Sequence, residues 1–316
     1  MSTRAREIAV LLTIVALMLV LAWRTTGYFT LVNLTDLFLA NMPVMIIAVG
    51  MTLIILTGEI DISVGSIFAI CSVVMGLCAS RGVPVLLSAL IACGMGVVLG
   101  ALNGALIAYL QIPSIVATLA TMVALRDGLR WWTQGAWIQG LPQQFQWFGQ
   151  SQGAFTFLCL AGTGLIVVSA SIGLRHLRMG RAIIATGSNK AAAHMIGINT
   201  KRIVFGVFGL TGVLTGLAAV LNSVRFNQVP SNSGLGLELK VIAAVAVGGA
   251  SITGGSATIT GTVLGVVLLG CIGSALTFLG INAYWEKAIQ GAIILIAVAV
   301  DTLPLYRKNH AYTAST

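Results

Sequence analysis

Glu59 and Asp61 stand close together in Gly58-Glu-Ile-Asp61, between two apolar runs. An ionised side chain at bilayer depth costs about 2.5–3.5 kcal/mol or more, so such a pair needs a reason. One reason is a proton or cation relay. The other is a position at the end of a span, near water, where the carboxylates cap a helix beginning near Ile62. The second reading is preferred, because the sequence holds no further acidic cluster inside an apolar run. Other reactive groups are dispersed. Cys71, Cys78, Cys93, Cys159 and Cys271 lie in apolar runs without CxxC spacing and read as small packing residues. His176, His194 and His310 are too far apart to form a recognisable ligand set, and no nucleophile, base and acid pattern stands out. Neither a catalytic residue nor a metal site is assigned. A GxxxxGK[ST] phosphate loop is also missing, so no cofactor is assigned and any ATP must be bound by another subunit.

A longer segment carries a different kind of chemistry. Gly180-Arg-Ala-Ile-Ile-Ala-Thr-Gly-Ser-Asn-Lys-Ala-Ala-Ala-His-Met-Ile-Gly197 contains a capped helix: Ser188 or Asn189 can start it, Lys190 to Ile196 are mostly good helix formers, and Gly197 suits the left-handed stop. Two turns of helix are unstable alone in water. The segment is therefore either a linker or a docking element, and the small residues Ala191, Ala192 and Ala193 favour close approach of a partner. On the opposite side, residues Arg126 to Gly153 mix Trp131, Trp132, Trp137 and Trp147 with glutamines, among them Gln134, Gln139, Gln143, Gln144, Gln146 and Gln150. Aromatic faces with amides suit sugars, but an interfacial belt or a partner contact accounts for the tryptophans without a ligand.

The elements that position these residues are membrane spans. The chain of 316 residues is 58% hydrophobic and 8% charged, where a soluble domain carries about 25% charge. Its net charge of +9 comes from Lys and Arg scattered singly or in small groups, which reads as topology charge and excludes a nucleic-acid face. The expected fold is an all-α polytopic membrane protein of one transmembrane domain, residues 1–316, with about ten transmembrane helices and short interrupted segments. The spans are Ile8 to Ala22, Met42 to Leu56, Ile62 to Ala79, Val83 to Leu110, Ile112 to Leu125, Ala154 to Leu174, Ile203 to Leu221, Leu239 to Val247, Thr258 to Leu279 and Ala288 to Leu303. The second, fifth and eighth are short, and the eighth reads as spanning or re-entrant. The first lacks a small-x-small cleavage site and is read as an uncleaved span. The connection over residues 175–202 holds Arg175, Arg178, Arg181, Lys190, Lys201 and Arg202 without an acidic residue, which places it in the cytoplasm. Ten spans then put both termini, with Arg4, Arg6, Arg307 and Lys308, on the same side. Arg24, Arg81, Arg126, Arg130, Arg225 and Lys287 fall to the outer loops.

Glycines cluster within the spans, as in Gly94-x-Gly96-xxx-Gly100-xxx-Gly104 and Gly206-xx-Gly209-xx-Gly212-xxx-Gly216. Such spacing lets helix backbones approach closely in lipid. One pattern repeats: Gly58-Glu-Ile-Asp-Ile-Ser-Val-Gly-Ser66 and Gly248-Gly-Ala-Ser-Ile-Thr-Gly-Gly-Ser256 share the first Gly, the middle Ile and the final Gly-Ser, and Ser63 matches Thr253. Interrupted segments at corresponding places in two halves point toward a central pathway, although a Gly-rich chain also produces such matches by chance.

Together with Asn103-Gly-Ala-Leu, Ile112-Pro-Ser-Ile-Val-Ala-Thr-Leu119, the segment from Gly180-Arg-Ala to Gly197-Ile-Asn199, and Ala243 to Ser256, the Gly58 motif makes the chain resemble the ribose-type permeases of bacterial ABC sugar importers over nearly its whole length. Trp132 to Pro142 and Tyr284-Trp285 resemble the rhamnose and autoinducer-2 permeases more than ribose permeases. The resemblance implies a permease subunit in the bacterial inner membrane carrying a sugar or sugar-like solute inward. It also implies a cytoplasmic ABC ATPase, a periplasmic sugar-binding protein and a second permease copy or paralogue. Gly180, Arg181, Asn189, Ala191, Ala192, Ala193, Gly197 and Asn199 then belong to the ATPase-coupling loop. Gly58, Asp61, Ser63, Gly65, Ser66, Asn103, Gly248, Thr253, Gly255 and Ser256 belong to candidate pathway motifs. The chain departs from the family where Glu59 replaces a glycine or neutral residue, and where Lys190 and Ala191 stand at positions that are often acidic. An ion-driven secondary transporter and a permease for branched-chain amino acids are the alternatives.

Overall fold

The computed structural model describes residues 3–25, 27–282 and 284–296. It is all-helical apart from an isolated antiparallel bridge between Ile138 and Val229. The helices are α1 (Thr3–Arg24), α2 (Leu31–Leu56), α3 (Val64–Ser80), α4 (Val85–Ala108), α5 (Ser114–Thr133), α6 (Gln152–His176), α7 (Arg178–Ser188), α8 (Lys190–Met195), α9 (Thr200–Ser223), α10 (Leu237–Val247) and α11 (Ile259–Phe278), with a 3-10 turn at Gln143–Gly149. Residues 284–296 are also helical. Among the described residues, α1, α2, α4, α6, α9 and α11 are long and apolar enough to cross a membrane, and α3 is a shorter apolar helix. By length and composition alone six spans are counted among the described residues, so the expected ten is not reached on this count. The tenth expected segment runs past residue 296, and Arg307 and Lys308 lie outside the described residues.

Three boundaries differ from the sequence reading. The second span begins at Leu31, not Met42, because Asn33, Asp36, Asn41 and Pro43 lower the local hydropathy without ending the helix. The fifth continues through Thr133, so Arg126, Arg130, Trp131 and Trp132 stand on a helix and not in an outer loop. The connection after α6 holds two helices, α7 as well as the expected α8.

α2 is the central element and is buried over most of its length. Its proline has a specific compensation. Pro43 has no N–H, so the carbonyl four residues earlier, on Leu39, loses its helical donor. The Arg225 guanidinium, from just beyond α9, donates to that carbonyl at 2.7 Å. Replacing Arg225 with Ala should leave a buried acceptor unpaired and cost about 1–3 kcal/mol. Pro43→Ala, which restores the amide, should recover part of the loss in the double variant. Thermal midpoints of the purified single and double variants measure this coupling.

α4 and α9 pack at backbone contact. A Cβ on Gly100 would lie 2.5 Å from the Phe208 carbonyl, one on Gly104 3.0 Å from that of Phe205, and one on Gly216 2.9 Å from the Cys93 Cα. Gly96 and Gly212 face each other closely enough that neither admits a side chain. Gly94 and Gly209, in the same sequence runs, have nothing near them. α1, α4 and α6 present exposed Leu, Ile, Val and Phe side chains around the bundle, as lipid contact requires.

Candidate functional site

The two repeated motifs meet at one end of the bundle. The α2–α3 connection begins with Gly58 at φ +80°, and the loop after α10 begins with Gly249 at φ +90°, one position later than the sequence match places it. The Gly255 amide donates to the Leu56 carbonyl at 3.1 Å, joining the second loop to the end of α2. A Cβ on Gly254 would be 2.8 Å from the Gly58 Cα and 3.0 Å from the Gly187 carbonyl. Gly187, near the end of α7, abuts the Leu56 carbonyl itself and would bring a Cβ within 2.8 Å of the Gly255 nitrogen. Three backbones therefore converge on one point: the end of α2, the Gly248–Ser256 loop and α7. Deeper in the bundle, Thr52 of α2 and Thr262 of α11 share a buried hydrogen bond of 2.6 Å.

α8 projects from this junction. The Asn189 side chain accepts from the Ala192 amide at 3.0 Å, and Gly197 takes the left-handed stop at φ +85°. Ser188, the other candidate cap, bonds back to the Ile184 carbonyl instead. Asn199 caps α9 by accepting from the Arg202 amide at 3.1 Å. Arg181 donates to the His176 carbonyl, and Gly180 packs on the last turn of α6 so tightly that a side chain there would overlap Leu174. The alanines do not form one outward face. Ala191 and Ala192 are exposed, but Ala193 is buried against the chain itself. The outward apolar surface is made by Met195 and Ile196, which are 85% and 75% exposed. Large exposed apolar side chains at the end of a short capped helix mark a candidate interaction surface.

The two departures from the family pattern touch each other. Lys190 Nζ lies 2.5 Å from Glu59 Oε1, an ion pair between the first residue of α8 and the α2–α3 connection. Asp61 is separate. Its Oδ1 accepts from the Ser63 amide at 2.8 Å and from the Ser63 hydroxyl at 2.6 Å, and that hydroxyl accepts from Asn103 Nδ2 at 2.7 Å. All three residues are buried. Sequence reasoning grouped Asp61, Ser63 and Asn103 among pathway residues; the structure brings them together in a buried network between the start of α3 and α4, in which Asn103 Oδ1 has no partner among the described residues. The Ile60 amide donates to Ser114 Oγ, and the Ser66 hydroxyl to the Met122 carbonyl, fixing the same segment to α5. In the second motif Thr253 and Ser256 are exposed, and Thr253 bonds only to Ser251. The two motifs share a location, not a set of contacts.

Glu59 is paired to a lysine and Asp61 to hydroxyl and amide donors, and no hydrogen bond joins the two carboxylates among the described residues. The Glu59→Gln, Asp61→Asn double variant is expected to keep at least about half of wild-type uptake, because the asparagine oxygen still accepts from Ser63 and only a partly exposed ion pair is lost. Uptake assays at matched expression check this, and collapse of uptake with the protein still assembled would establish a relay.

Other charged groups went unread in the sequence. Gly65 leaves room for the Glu238 carboxylate, which pairs with Arg126 at 3.2 Å. Lys240 pairs with Glu286 at 3.0 Å. The signal was present: charges bordering or inside apolar segments, at Arg126, Glu238 and Lys240.

A family model described as "Branched-chain amino acid transport system / permease component" matches residues 33–298. The chain is 35% identical over 300 residues to the autoinducer 2 import system permease protein LsrC of Salmonella typhi, covering 94% of this chain and 85% of that one. It is 36% identical to the LsrC protein of Yersinia enterocolitica over 94% and 82% of the two chains. With that of Escherichia coli K12 it shares 35% identity over 94% and 86%. No solved structure matches the chain.

Proposed function

We propose, starting from the fact that this chain belongs to the family described as branched-chain amino acid transport system / permease component, that it forms the membrane-spanning part of an importer for a sugar-like solute, powered by a separate ATPase. The observation that carries the choice of solute is the likeness, over 94% of the chain, to permeases named for autoinducer 2 import. That likeness favours a sugar-like cargo over a branched-chain amino acid. The pairing of Glu59 with Lys190 and the hydrogen bonds of Asp61 to Ser63 disfavour an ion-driven mechanism.

In this reading α7 and α8 lie in the cytoplasm and receive the ATPase. α8 and its cap offer Met195 and Ile196 outward, while Gly187 of α7 carries movement to the end of α2. α3, α5, α10 and the segment containing residues 284–296 add four crossings to the six long helices, an even number on either side of α7 and α8. A binding protein delivers solute to the opposite face, and a second permease, a copy or a paralogue, completes the pathway.

The test is reconstitution in proteoliposomes of the chain with its co-encoded ATPase and binding protein. Labelled autoinducer 2, L-rhamnose and D-ribose are offered with ATP inside or absent. ATP-dependent accumulation of one of them, and no ATP binding by the isolated chain, is the expected result. Accumulation driven by a proton or sodium gradient without the ATPase overturns the reading.

A further inference from the structure

We infer that the cavity between α2, α3, α9, α10 and residues 284–290 is a binding subsite for a neutral, polyhydroxylated solute on its way through the permease. The inference rests on the importer reading above and specifies where in this chain the cargo is held.

The cavity measures 490 Å³, within the range of about 300–1,000 Å³ usual for small-molecule sites. Its position follows from the helices. α9 starts at Thr200, beside α8, and Asn222 lies at its far end; α10 ends at Val247, next to the loop that packs on α7, and Lys240 lies in its first turn. The cavity is therefore at the end of the bundle remote from α7 and α8, the face on which solute arrives.

Its lining is mostly apolar but carries a cluster of polar side chains on one side. Asn222, Lys240, Glu286 and Gln290 contribute side chains, Phe68 an apolar wall, and Leu235 stands on the turn before α10. Charges at such depth are expensive and mark a function unless they are neutralised and used. Here Lys240 and Glu286 neutralise each other at 3.0 Å, and Gln290 Nε2 donates to the same Glu286 oxygen at 3.1 Å. The carboxylate is also held against α11, where a Cβ on Gly273 would lie 3.0 Å from Glu286 Oε2. Gln290 is 5% exposed, so this array is built into the wall and is not a surface pair. The result is a set of fixed donors and acceptors with no net charge of its own beside an apolar ring, the combination that a polyol or monosaccharide satisfies with its hydroxyls and its C–H faces. Exposed Lys287 at the rim repels cationic solutes. An apolar amino acid side chain would leave the donors and acceptors unpaired, which a buried polar wall penalises.

The experiment uses the reconstituted complex with the same three labelled sugars. Leu235 is 59% exposed in the cavity, and Leu235→Trp should fill it and lower uptake at least about ten-fold. Asn222→Ala should raise the KM for uptake about five-fold at saturating binding protein while kcat changes less. Gln290→Glu, which adds a charge to the wall, should impair uptake of neutral sugars more than Gln290→Asn does. Membrane levels and ATPase co-purification are measured for each variant. Wild-type uptake with unchanged uptake by Leu235→Trp overturns the subsite alone. Loss of uptake accompanied in every variant by loss of assembly also overturns it, by showing a structural role or an interface with the second permease or the binding protein. If the wild-type complex imports none of the sugars, the importer reading fails and the ligand class assigned to the cavity fails with it.

Discussion

Replacing Gly187 with Val is expected to loosen the junction of α7 with the end of α2 and to impair the permease. The added Cβ would overlap the Leu56 carbonyl and crowd the Gly255 nitrogen, both backbone atoms that no rotamer change can move aside. Overpacking in a tight site costs about 1–3 kcal/mol and sometimes more, and a clash with two backbones belongs at the upper end. The same amide of Gly255 donates to the Leu56 carbonyl, so a side chain wedged against both atoms also strains the hydrogen bond that joins the second loop to the end of α2. The expected result is a thermal midpoint lowered by several degrees, with faster hydrogen exchange in α7, α8 and both motif loops. The α4–α9 interface, which is remote from the junction and held by its own glycines, should keep its protection. Gly187→Ala should show the same pattern at smaller amplitude. If the Val variant melts like wild type, the three-way contact does not hold α7 in place, and the route from α8 to α2 lies elsewhere.

Converting Met195 and Ile196 to Asp should abolish ATPase co-purification without unfolding the permease. Both side chains are mostly in water already, so their loss removes little that the isolated chain buries. In a complex they are the large apolar groups of α8, and central apolar anchors carry most of the energy of an interface. A loss of at least about 2.8 kcal/mol, or a hundred-fold in affinity, is expected for the pair. Ala192→Trp, on the exposed side, should weaken the complex by obstructing close approach. Gly197→Val should do so by straining the left-handed stop at φ +85°, since open space around Gly197 leaves conformation as the cost. Gln144→Trp, in the 3-10 turn at the other end of the bundle, is the control and should leave ATPase binding alone. Full ATPase binding by the double Asp variant, with uptake intact, would show that α8 is a linker.

Much of the molecule followed from local chemistry. Asn189, the helix formers after it and Gly197 specify α8 within a few residues, so its cap and its stop could be read directly. Long apolar runs located most of the helices, and glycine spacing marked α4 and α9 as closely packed. These features depend on near neighbours in the chain, which a sequence displays.

Other features depended on distant residues. Pro43 and the polar residues before it look like a break in an apolar run, yet the helix continues because Arg225, far along the chain, replaces the missing donor. Gly94 and Gly96 are indistinguishable by composition; only the approach of α9 makes one indispensable and leaves the other free. The three alanines of α8 appeared equivalent, but packing turned Ala193 inward and left Met195 and Ile196 as the outward surface. Glu59 and Lys190 each departed from the family pattern, and the reason is visible only when α8 folds back beside the α2–α3 connection. Asn103 is far from Asp61 and Ser63 in sequence, and only the fold joins the three by hydrogen bonds between the start of α3 and α4. The cavity held by Lys240, Glu286 and Gln290 had no sequence signature, because its walls come from segments that are neighbours only in the folded bundle. Hydropathy and capping are properties of contiguous residues, whereas charge pairing and close approach are properties of surfaces that tertiary packing alone brings together.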